Sequence, residues 1–240
     1  MKTEPSIGYT KETAQKYTEG QRQFFDVDHV VDGATVAMEE EIKALAEKHS
    51  IQTVCDIGCG ANCAYLRSWK ASAVAENVIG IEPSPHMREI LERDLASTDD
   101  AESVEVISGD WGDVPVPNDS VDLVVSRFSL HHLQNIREGY RELSRVLKIG
   151  GHAVISLPHP EYCARELEKQ KIVPQEGIPM SVQVFDTTLH YYYHEINSYL
   201  GSSLLENGLR LVKHSSFNWG TNDETEKQIP NTLLFVLEKV

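Results

Sequence analysis

An α/β fold, with helices wound on both faces of one sheet, is what this sequence predicts, and three observations carry the prediction. Short apolar runs recur along the chain and end in acids, stretches of helical periodicity with recognisable caps stand between them, and the first run breaks into a glycine-rich turn. Strand and helix in steady alternation make a doubly wound domain.

The elements follow from local punctuation. Tyr9 to His49 reads as helical, with Met38, Ile42 and Leu45 on one face at spacings of four and three. Thr53-Val54-Cys55-Asp56-Ile57 is a strand opening into Gly58-Cys59-Gly60-Ala61-Asn62. Glycine lacks a Cβ, so Gly58 and Gly60 can take positive φ and let backbone approach a ligand, while Asp56 adds a carboxylate at the strand tip. The nicotinamide fingerprint fails here, because Cys63 stands where its third glycine belongs and the acid precedes the glycines.

Asn77 to Ile81 is a second strand, ending in Glu82, 22 residues after Gly60, where a carboxylate can accept both hydroxyls of a ribose. Ser84 and Pro85 supply an N-cap and first-turn proline to a helix with Met87, Ile90, Leu91 and Leu95 on its apolar face. Val104 to Ile107 alternates and leads to Gly109-Asp110-Trp111, an acceptor beside an indole that could bond an adenine amino group and cover its ring. Val121 to Arg127 is a strand that opens through Phe128-Ser129-Leu130 onto His131 and His132. Asn135 with Glu138 reads as a capping box before the apolar face Ile136, Tyr140, Leu143 and Leu147, and Gly150-Gly151 is expected to stop that helix before a strand from His152 to Leu157.

After Pro158 the alternation breaks. Pro160, Pro174, Gly177 and Pro179 predict an irregular insertion of about twenty-five residues. Leu189 to Tyr193 then reads as extended, Glu195 to Asn207 as helix, and Leu209–Ser215 and Thr232–Glu238 as a closing pair of strands. The expected single domain divides into a helical cap (1–49), a core (50–158), an inserted lid (159–193) and a C-terminal helix with an edge hairpin (194–240).

Asp56-Ile57-Gly58-Cys59-Gly60, Glu82, Asp110-Trp111 and the 121–132 segment, taken in this order, resemble the class I S-adenosylmethionine-dependent methyltransferases, in their small-molecule branch. The match covers roughly residues 50 to 158. Ile149 stands where the family usually has proline, and Asn62 where many members have a third glycine; Asn tolerates left-handed geometry. The resemblance implies a Rossmann-like, doubly wound, seven-stranded sheet ending in a C-terminal antiparallel hairpin, with N-terminal helices and a lid inserted after the fifth strand. It implies S-adenosyl-L-methionine as cofactor, with Asp56, Gly58 and Gly60 at its methionine end, Glu82 at the ribose, and Asp110 with Trp111 at the adenine. Tyr17, Cys59, Pro83, Gly109, Arg127 and His132 are the other expected cofactor-binding residues.

Composition narrows the partners. The 240 residues are 40% hydrophobic and 25% charged, and a formal net charge of −15 repels phosphate backbones and anionic lipid, so a small-molecule acceptor is expected rather than nucleic acid or membrane. No apolar run approaches the ~20 residues of a membrane span, and Met1 to Pro5 lacks the apolar core of a signal peptide, which predicts a cytoplasmic protein. Cys55, Cys59 and Cys63 recur every fourth residue with Cys163 far away, a spacing that fits no zinc site and predicts reduced, packed thiols and no metal.

Methyl transfer from a sulfonium is an in-line displacement whose thioether leaving group needs no proton, so catalysis can be largely positioning. A base is needed only where the acceptor atom must lose a proton. His131 and His132, after the fourth strand, and His159, at the tip of the fifth, are the candidate bases. Tyr191 and Tyr193 share one side of an extended run, with Tyr192 opposite, and could present rings to a sulfonium. Tyr9, Tyr17, Phe24 and Phe25 lie on the segment that closes over the cofactor in relatives, so the acceptor cavity is expected between that segment, the insertion, the tyrosines and His131 or His132. Transfer to oxygen or nitrogen is the expected chemistry. The alternative is a cyclase or lyase in which the cofactor's own amino or carboxylate group attacks its aminobutyryl chain and methylthioadenosine leaves; a cofactor-binding protein without turnover is a third.

Overall fold

The computed structural model describes residues 9–23, 33–98, 104–218 and 230–240. Nine strands are found among them: β1 (Thr53–Ile57), β2 (Asn77–Ile81), β3 (Val104–Ile107), β4 (Val121–Arg127), β5 (Leu147–Pro158), β6 (Pro179–Val184), β7 (Thr187–Tyr192), β8 (Leu209–Phe217) and β9 (Thr232–Lys239). Seven form one sheet in the order β3-β2-β1-β4-β5-β9-β8, and β6 with β7 forms a separate hairpin. Strands β1 to β5 pair parallel, while β9 lies antiparallel to β5 and β8 antiparallel to β9. From β1 the chain first builds outward through β2 and β3, then returns to place β4 on the other side. The resulting switch point between β1 and β4 leaves a crevice at the strands' carboxyl ends, where ligands of open α/β sheets bind.

Helices α2 (Gly33–Lys48), α3 (Cys63–Ala71), α4 (Pro85–Ala96) and α5 (Ile136–Val146) cover the sheet, and α1 (Lys11–Arg22) packs through Ala14 and Tyr17 beside Ala61 of the glycine turn and Met87 of α4. One face of the core packs Met38 and Ile42 of α2, Leu66 and Trp69 of α3, and Leu91 and Leu95 of α4 against Val54, Val78 and Leu123; the other packs Ile136, Tyr140 and Leu143 of α5 against Cys55, Val124 and Ile155. Burial on both faces explains why β1 is apolar without alternation. The caps are as expected: Ser84 Oγ accepts from Met87 N at 3.3 Å, and Asn135 Oδ1 from Arg137 N at 3.2 Å. The N-terminal segment forms two helices, and Phe24 and Phe25 lie outside the described residues.

Three expectations are corrected. α5 ends at Val146, and Gly150-Gly151 lie inside β5 instead of before it; Gly150 takes φ +78°, and the ladder with β4 skips from Val121↔Leu147 to Leu123↔His152, a bulge anchored by Lys148 on Asp122 at 2.7 Å. The insertion is regular rather than irregular, consisting of α6 (Pro160–Lys169) and the β6–β7 hairpin. Pro160 and Pro179 open elements instead of breaking them, since Pro160 needs no N–H at the first helical position and Pro179 begins a strand, while Pro174 and Gly177 lie in the irregular link 170–178 between α6 and β6. The helix expected over 195–207 is two short ones, α7 (Ile196–Leu200) and α8 (Ser203–Glu206), parted at Gly201, where a Cβ would lie 2.2 Å from the Asn197 carbonyl oxygen.

Candidate active site

A cavity opens at the switch point, lined by the glycine turn after β1, the tip of β2, the Asp110 turn, the end of β4 and the helices α1, α2 and α3. Gly58 and Gly60 hold φ +78° and +64°, and the turn docks onto the neighbouring strand through Gly58 N and Cys59 N, which both donate to the Ile81 carbonyl (2.7 and 3.1 Å). Glu82 is 5% exposed and braces the same turn: its Oε2 accepts from Gly60 N at 3.0 Å and its Oε1 from Ser84 N at 2.8 Å. The acid at the tip of β2 therefore also fixes the shape of the glycine turn and the start of α4.

Gly58 differs from Gly60 in what surrounds it. A Cβ on Gly58 would lie 1.8 Å from Ser129 Oγ, which accepts from Trp111 Nε1 at 3.0 Å, whereas a Cβ on Gly60 would meet nothing within 4 Å. Gly58 lets two loops touch, and Gly60 leaves the cavity open. Gly109, a predicted cofactor contact, does not line the cavity; its missing Cβ makes room for Pro115, whose Cδ would lie 2.4 Å from a Cβ at that position. Asp110 and Trp111 do line it, with Asp110 Oδ1 capping its own turn from Gly112 N (2.7 Å) and Asp113 N (3.2 Å).

Charge in the cavity is unbalanced. Glu39, Asp56, Glu82 and Asp110 face one guanidinium, Arg127, stacked 4.0 Å over the Tyr65 ring. Asp56 Oδ1 is buried and has no hydrogen-bond partner among the described residues. Burial pushes the Asp56 carboxyl up to about 7, Arg127 pulling it down and Glu82 and Glu39 pushing it further up. Burial likewise raises Glu82 and Glu39. An unpartnered buried carboxyl in a negative, aromatic-walled crevice fits a ligand that carries cationic centres.

The raised Asp56 value has a consequence for stability. Between the unfolded value of 3.8 and the folded value of about 7, the native state holds the proton more tightly, so stability is full below about pH 4 and is lost as pH rises through 7. Without ligand, the stability of wild type relative to Asp56→Asn should fall by up to about 1.4 kcal/mol per pH unit in that window. Urea titrations of both proteins at three pH values check this, and parallel curves would show an unperturbed carboxyl.

Of the other predicted residues, Tyr17, Cys59, Pro83, Arg127 and His132 line the cavity, and His131, His159, Tyr191 and Tyr193 do not. His159 is the N-cap of α6, its Nδ1 accepting from Glu161 N at 3.2 Å. Tyr191 and Tyr193 pack with Cys163, Leu167 and Met180 in a small core beneath the insertion, because β7 turns that face toward α6. His131 is buried behind His132, its ring 4.5 Å from that of His132 and 4.6 Å from that of Tyr191. Residues not anticipated include Thr35 and Glu39 on α2 and Tyr65 and Trp69 on α3, with Trp69 Nε1 donating to Glu39 Oε2 at 3.4 Å. The i, i+4 spacing of each pair, two aromatics directly after the glycine turn above all, is the signal that marks them.

His132 is the histidine with geometry for proton transfer. Its Nδ1 lies 3.1 Å from the carbonyl oxygen of His190, which can only accept, so the proton sits on Nδ1 and the neutral ring keeps its Nε2 lone pair. Burial lowers its value to about 4, the His190 carbonyl opposing. The strand that positions this carbonyl is tied down by His194, whose ring bonds Glu176 Oε1 (2.5 Å) and the Leu133 carbonyl (2.7 Å).

Known proteins resemble the chain in both sequence and fold. Residues 55–155 match the family model of a methyltransferase domain. 2-Methyl-6-phytyl-1,4-hydroquinone methyltransferase 1 of Oryza sativa subsp. japonica is 34% identical over 140 residues, 56% of this chain and 41% of its own length. Arsenite methyltransferase of Halobacterium salinarum is 31% identical over 132 residues, 55% of this chain and 34% of its own. A solved S-adenosylmethionine-dependent methyltransferase from Mesorhizobium loti shares the fold with a TM-score of 0.60 at 19% identity, over 86% of this chain and 100% of that one. The chain thus spans well under half the length of these two sequence relatives. The sheet order, the glycine turn at the switch point and the acid at the tip of β2 define a class I methyltransferase fold. Through residues 55–155 the chain is similar to the methyltransferase domain family.

Proposed function

We propose that this protein transfers a methyl group to an oxygen or nitrogen atom of a small molecule, with His132 as the base. One observation carries the reading: a neutral imidazole, its tautomer set by a backbone carbonyl, lines the same cavity as the glycine turn and Glu82. S-adenosylmethionine supplies an electrophilic methyl group on a sulfonium. Glu82 and Asp110 are the acceptors for its ribose and adenine, Trp111 covers the ring, and the unpartnered Asp56 with the Arg127 guanidinium faces its charged end. Tyr9, Tyr17 and Gln21 of the amino-terminal segment exclude water from the other side. His132 receives the proton that the acceptor gives up, a role open to it at every pH above about 4. The four free thiols favour a cytoplasmic setting, and no helix among the described residues is long and apolar enough to cross a membrane.

His132→Gln keeps a donor toward His190 but has no basic nitrogen. It should lower kcat roughly 10²–10⁴-fold on a phenol or amine acceptor. Formation of S-adenosylhomocysteine across a panel of phenols, thiols and amines identifies the acceptor and measures the loss; undiminished kcat on the best acceptor would remove His132 from the chemistry. The cyclase alternative loses the support of the tyrosine run, since Tyr191 and Tyr193 do not line the cavity. Methylthioadenosine accumulating from S-adenosylmethionine alone would restore it.

A further inference from the structure

Phe185 and Asp186 form the two-residue tip of the β6–β7 hairpin, both left-handed at φ +48° and +55°. Such a tight turn requires that conformation, and Gly, Asn or Asp normally supply it; a phenylalanine there stores strain. The strained residue is aimed at α1. Its ring meets Tyr17 edge-on with centroids 5.7 Å apart, and its Cβ occupies the space next to Gly20, where a Cβ on that glycine would lie only 2.2 Å away. Asp186 lies within the field of Lys16 on the same helix. α1 also presents Tyr17 and Gln21 to the cavity, with Tyr17 against Tyr9 at 5.5 Å, so the ring that Phe185 touches is itself part of the cavity wall. The base of this hairpin meets the other end of the cavity, where the His190 carbonyl holds His132. One hairpin therefore spans from the candidate base to the helix that covers the cofactor crevice.

We propose that Phe185 is a positioning residue, a latch that seats α1 over the bound cofactor, so that the insertion controls how fast cofactor and product leave. The glycine at position 20 is its socket. Without the ring α1 opens more often, and a side chain in the socket pushes the hairpin tip away with the same result.

Trp69 and Trp111 both line the cavity, so intrinsic fluorescence can follow S-adenosylhomocysteine release by stopped flow. Calorimetry on the wild type comes first, and absence of binding there would count against the cofactor assignment, separately from the latch. Phe185→Gly and Gly20→Ala should each raise the dissociation rate constant about tenfold, as loss of one aromatic edge contact would. The double variant should dissociate no faster than Phe185→Gly alone, because latch and socket are one device. Phe185→Gly should also keep its melting temperature, since glycine relieves the left-handed strain. Wild-type dissociation from Phe185→Gly would overturn the proposal. So would multiplied single effects, about a hundredfold in the double variant, or slower release from Gly20→Ala, the result expected if only helix propensity changed.

Discussion

Glu82→Ala should weaken S-adenosylhomocysteine binding by roughly 3 kcal/mol or more, about two decades in Kd. The loss has two parts. A charged acceptor for the ribose hydroxyls disappears, and Gly60 N and Ser84 N, which share the two carboxylate oxygens at 3.0 and 2.8 Å, lose their partner. Glu82→Gln should recover little, because its amide NH₂ group would face one of those two donors. Calorimetry with a melting curve on each variant separates binding from folding. If the alanine variant binds as wild type does, the carboxylate is not the ribose acceptor.

Gly58→Ala should cost roughly 3–5 kcal/mol of folding stability, the sum of overpacking and left-handed strain. Gly60→Ala should cost about 1 kcal/mol, from φ alone. The contrast rests on position: the new methyl at 58 meets Ser129 Oγ at 1.8 Å and Ser129 Cβ at 2.4 Å, and at 60 it meets nothing. The sequence points to Gly58 as a place where backbone approaches a ligand; in the fold a side chain there would first collide with the loop after β4. Gly58→Ala combined with Ser129→Gly should be compared with Ser129→Gly alone, which leaves Trp111 Nε1 without its acceptor; on that background the alanine at 58 should cost only the φ penalty. Urea denaturation of these variants checks the order, and equal costs at 58 and 60 would contradict the packing described here.

Signals that lie within one element or one turn were legible in the sequence. Apolar runs marked β1, β2, β4 and β5, the Ser84-Pro85 and Asn135 caps marked α4 and α5, and glycines with an acid marked the tight turn after β1, because each depends on neighbours within a few residues. The same locality misread Pro160 and Pro179 as loop formers, since a proline that opens an element and one that ends it look alike without the hydrogen bonds around them. Gly150-Gly151 misled for a related reason: a glycine pair after a helix reads as a stop, and only pairing with β4 shows that the chain is already in the sheet.

The sequence by itself determined the fold class and three of the four carboxylates that face the crevice, Asp56, Glu82 and Asp110, because a strand that breaks into D-x-G-x-G and a strand tipped by an acid are local events with few alternative geometries; the cofactor followed from the resemblance that these motifs carry in order. Which histidine could act was decided by tertiary structure. His131 and His132 are adjacent and equivalent as letters, yet only His132 lines the cavity, and its tautomer is set by the carbonyl of His190, 58 residues away. Tyr191 and Tyr193 were assigned the correct shared face, and only the packing of α6 onto that face revealed it as a core. Periodicity states which residues point together; what they point at depends on contacts distant in sequence, and those exist only in the folded chain.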